Sequence, residues 1–121
     1  MGTIALGLIV HLHGDALGPS MRDATGDTLW AMMITWWVAA IVPEGSLATR
    51  SAAALAICFA VESSQLYHTA ALDTLRGSAV GHLILGSDFD PRDLVAYAIG
   101  VLAALAAESL ARFLVLLRSR P

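Results

Sequence analysis

Residues 60–76 read AVESSQLYHTAALDTLR, and they close an apolar run that is long enough to enter a membrane. The run carries a carboxylate, Glu62, and Gln65 follows one helical turn later on the same face. Asp73 and Arg76 repeat this spacing of three residues just beyond the expected end of the helix. A carboxylate inside a membrane is costly unless it is paired, protonated or hydrated. The stretch therefore predicts a membrane protein with a polar site near one interface.

The composition of the 121 residues indicates that lipid is the main solvent of the chain. Hydrophobic residues make up 57% and charged residues 14%, whereas about a quarter of an ordinary soluble domain is charged. The net charge of −3 excludes a basic surface for nucleic acid, and the single cysteine excludes an internal disulfide. The apolar start of the chain lacks the basic region and the cleavage site of a signal peptide. The length predicts one domain over residues 1–121.

Four apolar runs predict an all-α fold, a polytopic transmembrane bundle of about four helices. The expected helices cover approximately residues 2–13, 26–42, 51–67 and 92–117. The first helix is short, since it would be roughly 18 Å long against a hydrocarbon core of about 30 Å. The sequence leaves open whether this run crosses the membrane. Residues 14–25 predict a loop, with Thr25 or Asp27 as the N-cap of the second helix.

The connection over residues 68–91 contains two weakly amphipathic segments separated by glycines. They predict one or two short interfacial helices that lie along the membrane rather than across it. Asp90 followed by Pro91 has the pattern of an N-cap and a first helical residue, so the pair predicts the start of the last helix. Within that helix, Glu108 and Arg112 are four residues apart and predict an ion pair.

If the helices alternate in direction, three helix ends lie at one face of the bundle. They are the start of the second helix, the end of the third and the start of the fourth. Six polar residues near these ends are the candidate ligand-binding residues: Glu62, Gln65, Arg76, Asp93, Asp27 and Asp73. Arg76 is the nearest candidate partner for the Glu62 carboxylate, because it follows the helix end closely. The distribution of arginines over the loops slightly favours cytoplasmic termini, which puts this polar face on the outer side of the membrane.

Each of the main candidates also has a purely structural interpretation. For Glu62 and Gln65, the functional interpretations are a binding site for a polar head group and a proton relay. The structural interpretation is a hydrogen-bonded clasp between helices. Arg76 either binds a phosphate group or forms an internal salt bridge. Asp27 and Asp93 begin helices in this prediction, and capping alone explains each of them. The residues themselves leave these alternatives open.

One combination of motifs resembles a known family. A helix that ends in Glu-x-x-Gln, a following arginine, and an aspartate that leads a final helix with a glycine are typical of the VanZ-like membrane proteins. In this chain the matching residues are Glu62, Gln65, Arg76, Asp93 and Gly100. The chain departs from that pattern at Ala96-Tyr97, where VanZ-like proteins usually carry an asparagine.

Nearly the whole chain is similar to a second and closer group, a family of small bacterial membrane proteins defined by a domain of unknown function. The shared motifs are Gly7-Leu8 and the segments over residues 26–31, 61–67, 72–76 and 93–100. The resemblance implies a polytopic protein of the bacterial inner membrane. The VanZ-like name is tied to glycopeptide resistance, whereas the closer group has no assigned activity.

The primary functional hypothesis is the binding of an amphiphilic or lipid-linked envelope ligand at the polar face. The alternatives are a structural accessory subunit of a larger membrane complex and an intramembrane acid/base enzyme. No catalytic residue is assigned, because the sequence has no nucleophile elbow, metal motif or glycine-rich phosphate loop. No cofactor or metal is expected, since the histidines lack ligand spacing. The expected partners are membrane lipid, the amphiphilic ligand, and further copies or subunits of a membrane complex, but not nucleic acid.

Overall fold

The computed structural model describes residues 9, 18–86 and 88–119, and within these residues it contains helices and no strands. The helices are α1 (Pro19–Ile41), α2 (Leu47–Ser64), α3 (Ala70–Arg76), α4 (Ala79–Leu85) and α5 (Pro91–Arg118). The predicted all-α class is therefore confirmed for the described residues. The predicted short helix over residues 2–13 lies outside them, apart from residue 9.

Helix α1 begins at Pro19, well before the predicted start at residue 26, so the loop expected over residues 19–25 is wrong. Gly18 turns the chain with a φ of 74°, and proline suits the first helical position because its missing N–H has no partner there anyway. The predicted cap residues consequently lie inside the helix. The Thr25 hydroxyl donates 2.7 Å to the Met21 carbonyl oxygen instead of capping, and Asp27 follows it within the helix.

Capping residues determine where the other long helices begin. Helix α2 begins at Leu47 rather than at residue 51, because the Ser46 hydroxyl accepts the amide hydrogen of Thr49 at 3.1 Å. It ends at Ser64 rather than at residue 67. The predicted start of the last helix is confirmed, since the Asp90 carboxylate accepts from the Arg92 amide at 2.9 Å and Pro91 occupies the first turn.

The two short helices predicted between residues 68 and 91 are present as α3 and α4. A hydroxyl caps each of them, from Thr69 in α3 and from Ser78 in α4. Several of their apolar side chains face outward rather than into the bundle, including Leu75, Val80 and Leu83.

Helices α1, α2 and α5 pack together around a small core, with α1 and α5 in the closest contact. The core consists mainly of small and medium side chains: Ala31, Val38, Ala54, Cys58, Tyr97 and Val101. Gly100 of α5 lies directly against α1, because a Cβ atom there would stand 2.8 Å from the Ala31 Cβ and closer still to the Thr28 carbonyl oxygen. The two backbones can approach this closely only because the residue is glycine.

An ion cluster closes the end of the bundle where α1 ends and α2 begins. Arg112 donates to the Glu108 carboxylate at 2.6 Å, as predicted from their spacing. The same Glu108 oxygen accepts from Arg50 of α2 at 2.8 Å. The Arg50 side chain is only 7% exposed, so the cluster links α2 to α5 through a largely buried guanidinium.

One helix in the described part of the chain, α5, is long and apolar enough to cross a membrane. Only 28% of its most apolar stretch is buried inside the protein. Its last turns expose apolar side chains on every side, among them Leu110, Phe113, Leu114, Val115, Leu116 and Leu117. The sequence of α5 and the exposure of its apolar faces both indicate association with a membrane.

Candidate functional site

Glu62 is the largest fully buried side chain in the described part of the molecule. One of its carboxylate oxygens, Oε1, accepts the backbone N–H of Asp90 at 2.8 Å. The other, Oε2, accepts the hydroxyl of Tyr97 at 2.9 Å. Both oxygens are thus satisfied, and one of them lies at the N-terminus of α5, where the helix dipole favours a negative charge.

This arrangement joins three helices. Glu62 belongs to α2, whereas both of its donors belong to the start of α5. The Tyr97 ring in turn packs against Trp30 of α1, with ring centroids 5.5 Å apart. The geometry therefore matches the helix–helix clasp among the interpretations that the sequence left open.

Arg76 does not form the predicted pair with Glu62, because its donors are directed elsewhere. Its Nη2 donates 2.6 Å to the Ser64 carbonyl oxygen, and its Nη1 donates 2.8 Å to that of Tyr67. The last carbonyl groups of a helix lack partners within the helix. Arg76 binds one carbonyl oxygen at the end of α2 and one in the loop that follows it. Its side chain is 6% exposed, and its Nε has no hydrogen-bond partner among the described residues.

Asp73 lies beside Arg76 and is more exposed than Arg76. Its Oδ1 is 3.3 Å from Nη1 of Arg76 and also 3.3 Å from Nδ1 of His68. The Asp73 side chain is half exposed, and a charge pair at an exposed carboxylate contributes little to stability. Asp73 and Arg76 therefore form a group of their own within α3.

Asp27, about two turns into α1, lies near Asp93 in the first turn of α5. Their carboxyl groups are close enough to interact, and both lie within electrostatic range of Glu62. Both residues are partly exposed, so this pair is accessible at the surface, unlike Glu62.

Gln65 is buried, with 5% of its surface exposed, and its Oε1 has no hydrogen-bond partner among the described residues. Its amide packs against Gly86, where a Cβ atom would stand 2.5 Å from Nε2. Gly86 has a φ of 64°, which glycine adopts without strain. A buried amide oxygen without a partner costs about 1–3 kcal/mol. Gln65 Oε1 is thus, beside Arg76 Nε, one of two buried polar atoms of the predicted site residues without a partner among the described residues.

The six predicted residues therefore fall into two groups. The first, which we call the acidic end, contains Asp27, Glu62 and Asp93, and we add Gln65 to it because it follows Glu62 by three residues in the chain. The second group consists of Arg76 and Asp73. Among the described residues, Arg76 bonds to Ser64, Tyr67 and Asp73 rather than to the carboxylates of the acidic end.

Sequence reasoning missed Tyr97 as the partner of Glu62. A signal was present, because Tyr97 follows Asp93 by four residues and therefore shares its face of the helix. Tyr97 also stands at the position where the chain departs from the VanZ-like pattern. The second donor, the Asp90 amide, is a backbone group and has no signature in the sequence.

A family model with the description "Protein of unknown function (DUF2809)" matches residues 17–101. The matched segment contains all six candidate residues and also Tyr97 and Gly100. The match confirms the resemblance to a family defined by a domain of unknown function, whereas the resemblance to the VanZ-like proteins stays a prediction. No solved structure matches the chain.

Proposed function

The chain belongs to the DUF2809 family, and we propose that it is a multi-pass protein of the bacterial inner membrane that binds an amphiphilic ligand at the acidic end. The observation that carries the proposal is the buried Oε1 of Gln65, which has no partner among the described residues. Buried polar groups without a hydrogen-bond partner are rare in proteins. A bound ligand that supplies the missing hydrogen bond explains why Gln65 is kept in this position.

Three helices have lengths that suit a membrane crossing. At 1.5 Å per residue, α1 is about 34 Å long, α2 about 27 Å and α5 about 42 Å, against a hydrocarbon core of about 30 Å. The two charged residues of α2, Arg50 and Glu62, are both buried in contacts with α5. Together with the predicted helix over residues 2–13, these three helices form the proposed four-helix transmembrane bundle. Helices α3 and α4 lie at the membrane–water interface in this proposal.

A labelling experiment tests this topology. We expect an impermeant maleimide to label Asp88→Cys in intact spheroplasts, and to label Glu44→Cys only after the membrane is opened, because the two exposed sites lie at opposite ends of α1 and α5. Cys58 is fully buried and is replaced by alanine in both variants. Equal labelling of both positions from one side would contradict the proposal that α1 and α5 cross the membrane. The reverse labelling pattern would place the termini on the outer side.

The ligand is proposed to have a polar head at the acidic end and an apolar tail along the exposed faces of the helices. Gln65, Asp27 and Asp93 are the residues proposed to contact the head. Glu62 and Arg76 hold the helix ends that form the site, since their polar atoms are mostly engaged in internal hydrogen bonds. A lipid-linked envelope precursor has this chemistry, which is also what the VanZ-like resemblance suggests.

The test measures which amphiphiles stay bound to the purified protein. We expect Gln65→Leu to retain roughly fivefold to tenfold less amphiphile than wild type in native mass spectrometry, because the buried acceptor for the head is lost. Thr35→Val is the matched control, since Thr35 is also buried but bonds only to the Ala31 carbonyl oxygen of its own helix. Equal retention by Gln65→Leu and wild type would reject the ligand site.

The same samples address the alternative of a structural accessory subunit. That alternative is supported by the last turns of α5, where apolar side chains from Leu110 to Leu117 are exposed and available to a neighbouring chain. A binding protein runs alone or as a small homo-oligomer after gentle extraction, whereas an accessory subunit elutes with other chains.

A further inference from the structure

The last part of α5 extends beyond the rest of the bundle. The hydrogen bond from Arg50 to Glu108 places Glu108 level with the first turn of α2, and α1 ends at Ile41, before the turn that leads into α2. Helix α5 continues to Arg118, and residues 109–118 are all exposed. No described part of the chain therefore covers this extension of α5.

One face of the extension carries a row of side chains that begins with a polar pair. These residues recur at intervals of three and four along α5, the spacing that forms the seam between two packed helices. They line an open groove of about 480 Å³. Ala111 stands in the middle of the row, and a small residue there lets another helix approach closely. We call these residues the α5 stripe: Glu108, Ala111, Arg112, Val115 and Leu116.

Both members of the polar pair have hydrogen-bonding capacity left. Oε1 of Glu108 accepts from Arg50 and from Arg112, whereas Oε2 accepts from none of the described residues. Arg112 donates to Glu108 through Nη2, its side chain is 58% exposed, and its other N–H groups are not bonded within the described part of the chain. A partner that brings one carboxylate and one guanidinium therefore completes the pair, and a second copy of the α5 stripe brings both.

Two other occupants fit the α5 stripe less well. Lipid tails cover apolar side chains, but they offer nothing to a free carboxylate oxygen or to free N–H groups. Residues 1–17 precede α1, which begins at the end of the bundle opposite to the stripe. As a helix these residues would be about 26 Å long, too short to follow the whole of α1, about 34 Å, and reach the stripe beyond it.

We propose that a second copy of this chain packs on the α5 stripe, so that two parallel α5 helices meet at Ala111 and each Glu108 Oε2 accepts from the partner's Arg112. Two copies inserted in the same direction pair in parallel, and a two-fold axis repeats each contact in both directions. Arginine side chains on a helix point toward its N-terminus, so the partner's Arg112 reaches the level of Glu108, as Arg112 does within its own helix. This dimer goes beyond the proposed function, because it depends on the membrane crossing of α5 but on no ligand.

Cysteine cross-linking in native membranes tests the contact. Cys58 is replaced by alanine, and a single cysteine is placed at Ala111 in one variant and at Ala106 in the other. Both alanines are exposed on α5, but Ala106 lies about 140° around the helix from Ala111, away from the stripe. With copper phenanthroline as the oxidant, we expect Ala111→Cys to form roughly fivefold more disulfide-linked dimer than Ala106→Cys, because a disulfide needs Cα atoms within about 7 Å.

Arg112→Ala tests the reciprocal pair, and Arg92→Ala is its matched control, since it removes an exposed arginine from the other end of α5. Energy transfer between labelled copies in liposomes, at increasing dilution in lipid, measures the dissociation constant of the dimer. We expect this constant to rise roughly tenfold in Arg112→Ala, where the charged hydrogen bonds between the copies are lost, and to stay unchanged in Arg92→Ala. The cross-linking comparison keeps the test decisive if Arg112→Ala does not fold.

The other outcomes overturn the dimer. Equal cross-linking at Ala111 and Ala106, or none at either, would show that the α5 stripe does not face a second copy. A cross-link from Ala111→Cys to a different protein would assign the stripe to another subunit. An equal effect of Arg112→Ala and Arg92→Ala would reject the reciprocal pair, and wild-type copies without energy transfer at any dilution would leave the stripe to lipid. None of these results affects the amphiphile retention of Gln65→Leu, on which the proposed function depends.

Discussion

Replacing Glu62 by alanine is expected to lower the free energy of unfolding by roughly 3–5 kcal/mol. The variant leaves the Tyr97 hydroxyl and the Asp90 amide without an acceptor, and each buried donor costs about 1–3 kcal/mol when it is unsatisfied. Removing the largest fully buried side chain also opens a cavity between α2 and α5. Unfolding of the purified protein in mixed micelles, followed by circular dichroism, measures the change.

A double-mutant cycle identifies the partner of Glu62. We expect Glu62→Gln and Tyr97→Phe to show a coupling energy of about 1–2 kcal/mol, because their side chains share a buried, charge-assisted hydrogen bond. The matching cycle with Arg76→Ala is expected to show almost no coupling, since Arg76 bonds to the Ser64 and Tyr67 carbonyl oxygens. A stronger coupling to Arg76 than to Tyr97 would contradict the clasp and restore the ion pair expected from the sequence.

The contrast between these two partners shows what the sequence can reveal about the site. A carboxylate and an amide in an apolar run are visible in the chain itself, so Glu62 and Gln65 could be singled out without coordinates. The partner depends on how α2 and α5 are aligned, which is a tertiary property. Arg76 is near in sequence, but its donors bond to the carbonyl oxygens of Ser64, at the end of α2, and of Tyr67, beyond it.

The same limit applies to the fold. The start of α5 was predictable because Asp90 and Pro91 act through neighbouring backbone groups. The start of α1 was not, because the residues after Pro19 are polar and resemble a loop, yet they continue a helix that packs against α5 further along. Local capping chemistry can be read from a sequence, whereas a polar helical turn supported by packing elsewhere cannot.

Gly100→Ala is the second change for which we expect a large effect, a loss of about 3 kcal/mol in the free energy of unfolding. The added Cβ would stand 2.8 Å from the Ala31 Cβ and nearer still to the Thr28 carbonyl oxygen. That oxygen belongs to the helix backbone and cannot rotate away as a side chain could, so α1 and α5 must separate along their shared face. The separation would also disturb the Trp30–Tyr97 contact and the hydrogen bond of Tyr97 to Glu62.

Gly26→Ala is the matched control for that experiment, because Gly26 is also inside a helix but a Cβ atom there meets nothing within 4 Å. We expect it to stabilise the protein by about 0.5–1 kcal/mol, the usual gain when alanine replaces glycine in a helix. The two substitutions add the same methyl group. If they change the free energy of unfolding in opposite directions, the difference gives the cost of the contact between the helices, separated from the intrinsic helix preference of alanine over glycine. A neutral or stabilising Gly100→Ala would mean that α1 and α5 are not packed backbone to backbone, and the juxtaposition of Asp27 with Asp93 would lose its structural basis.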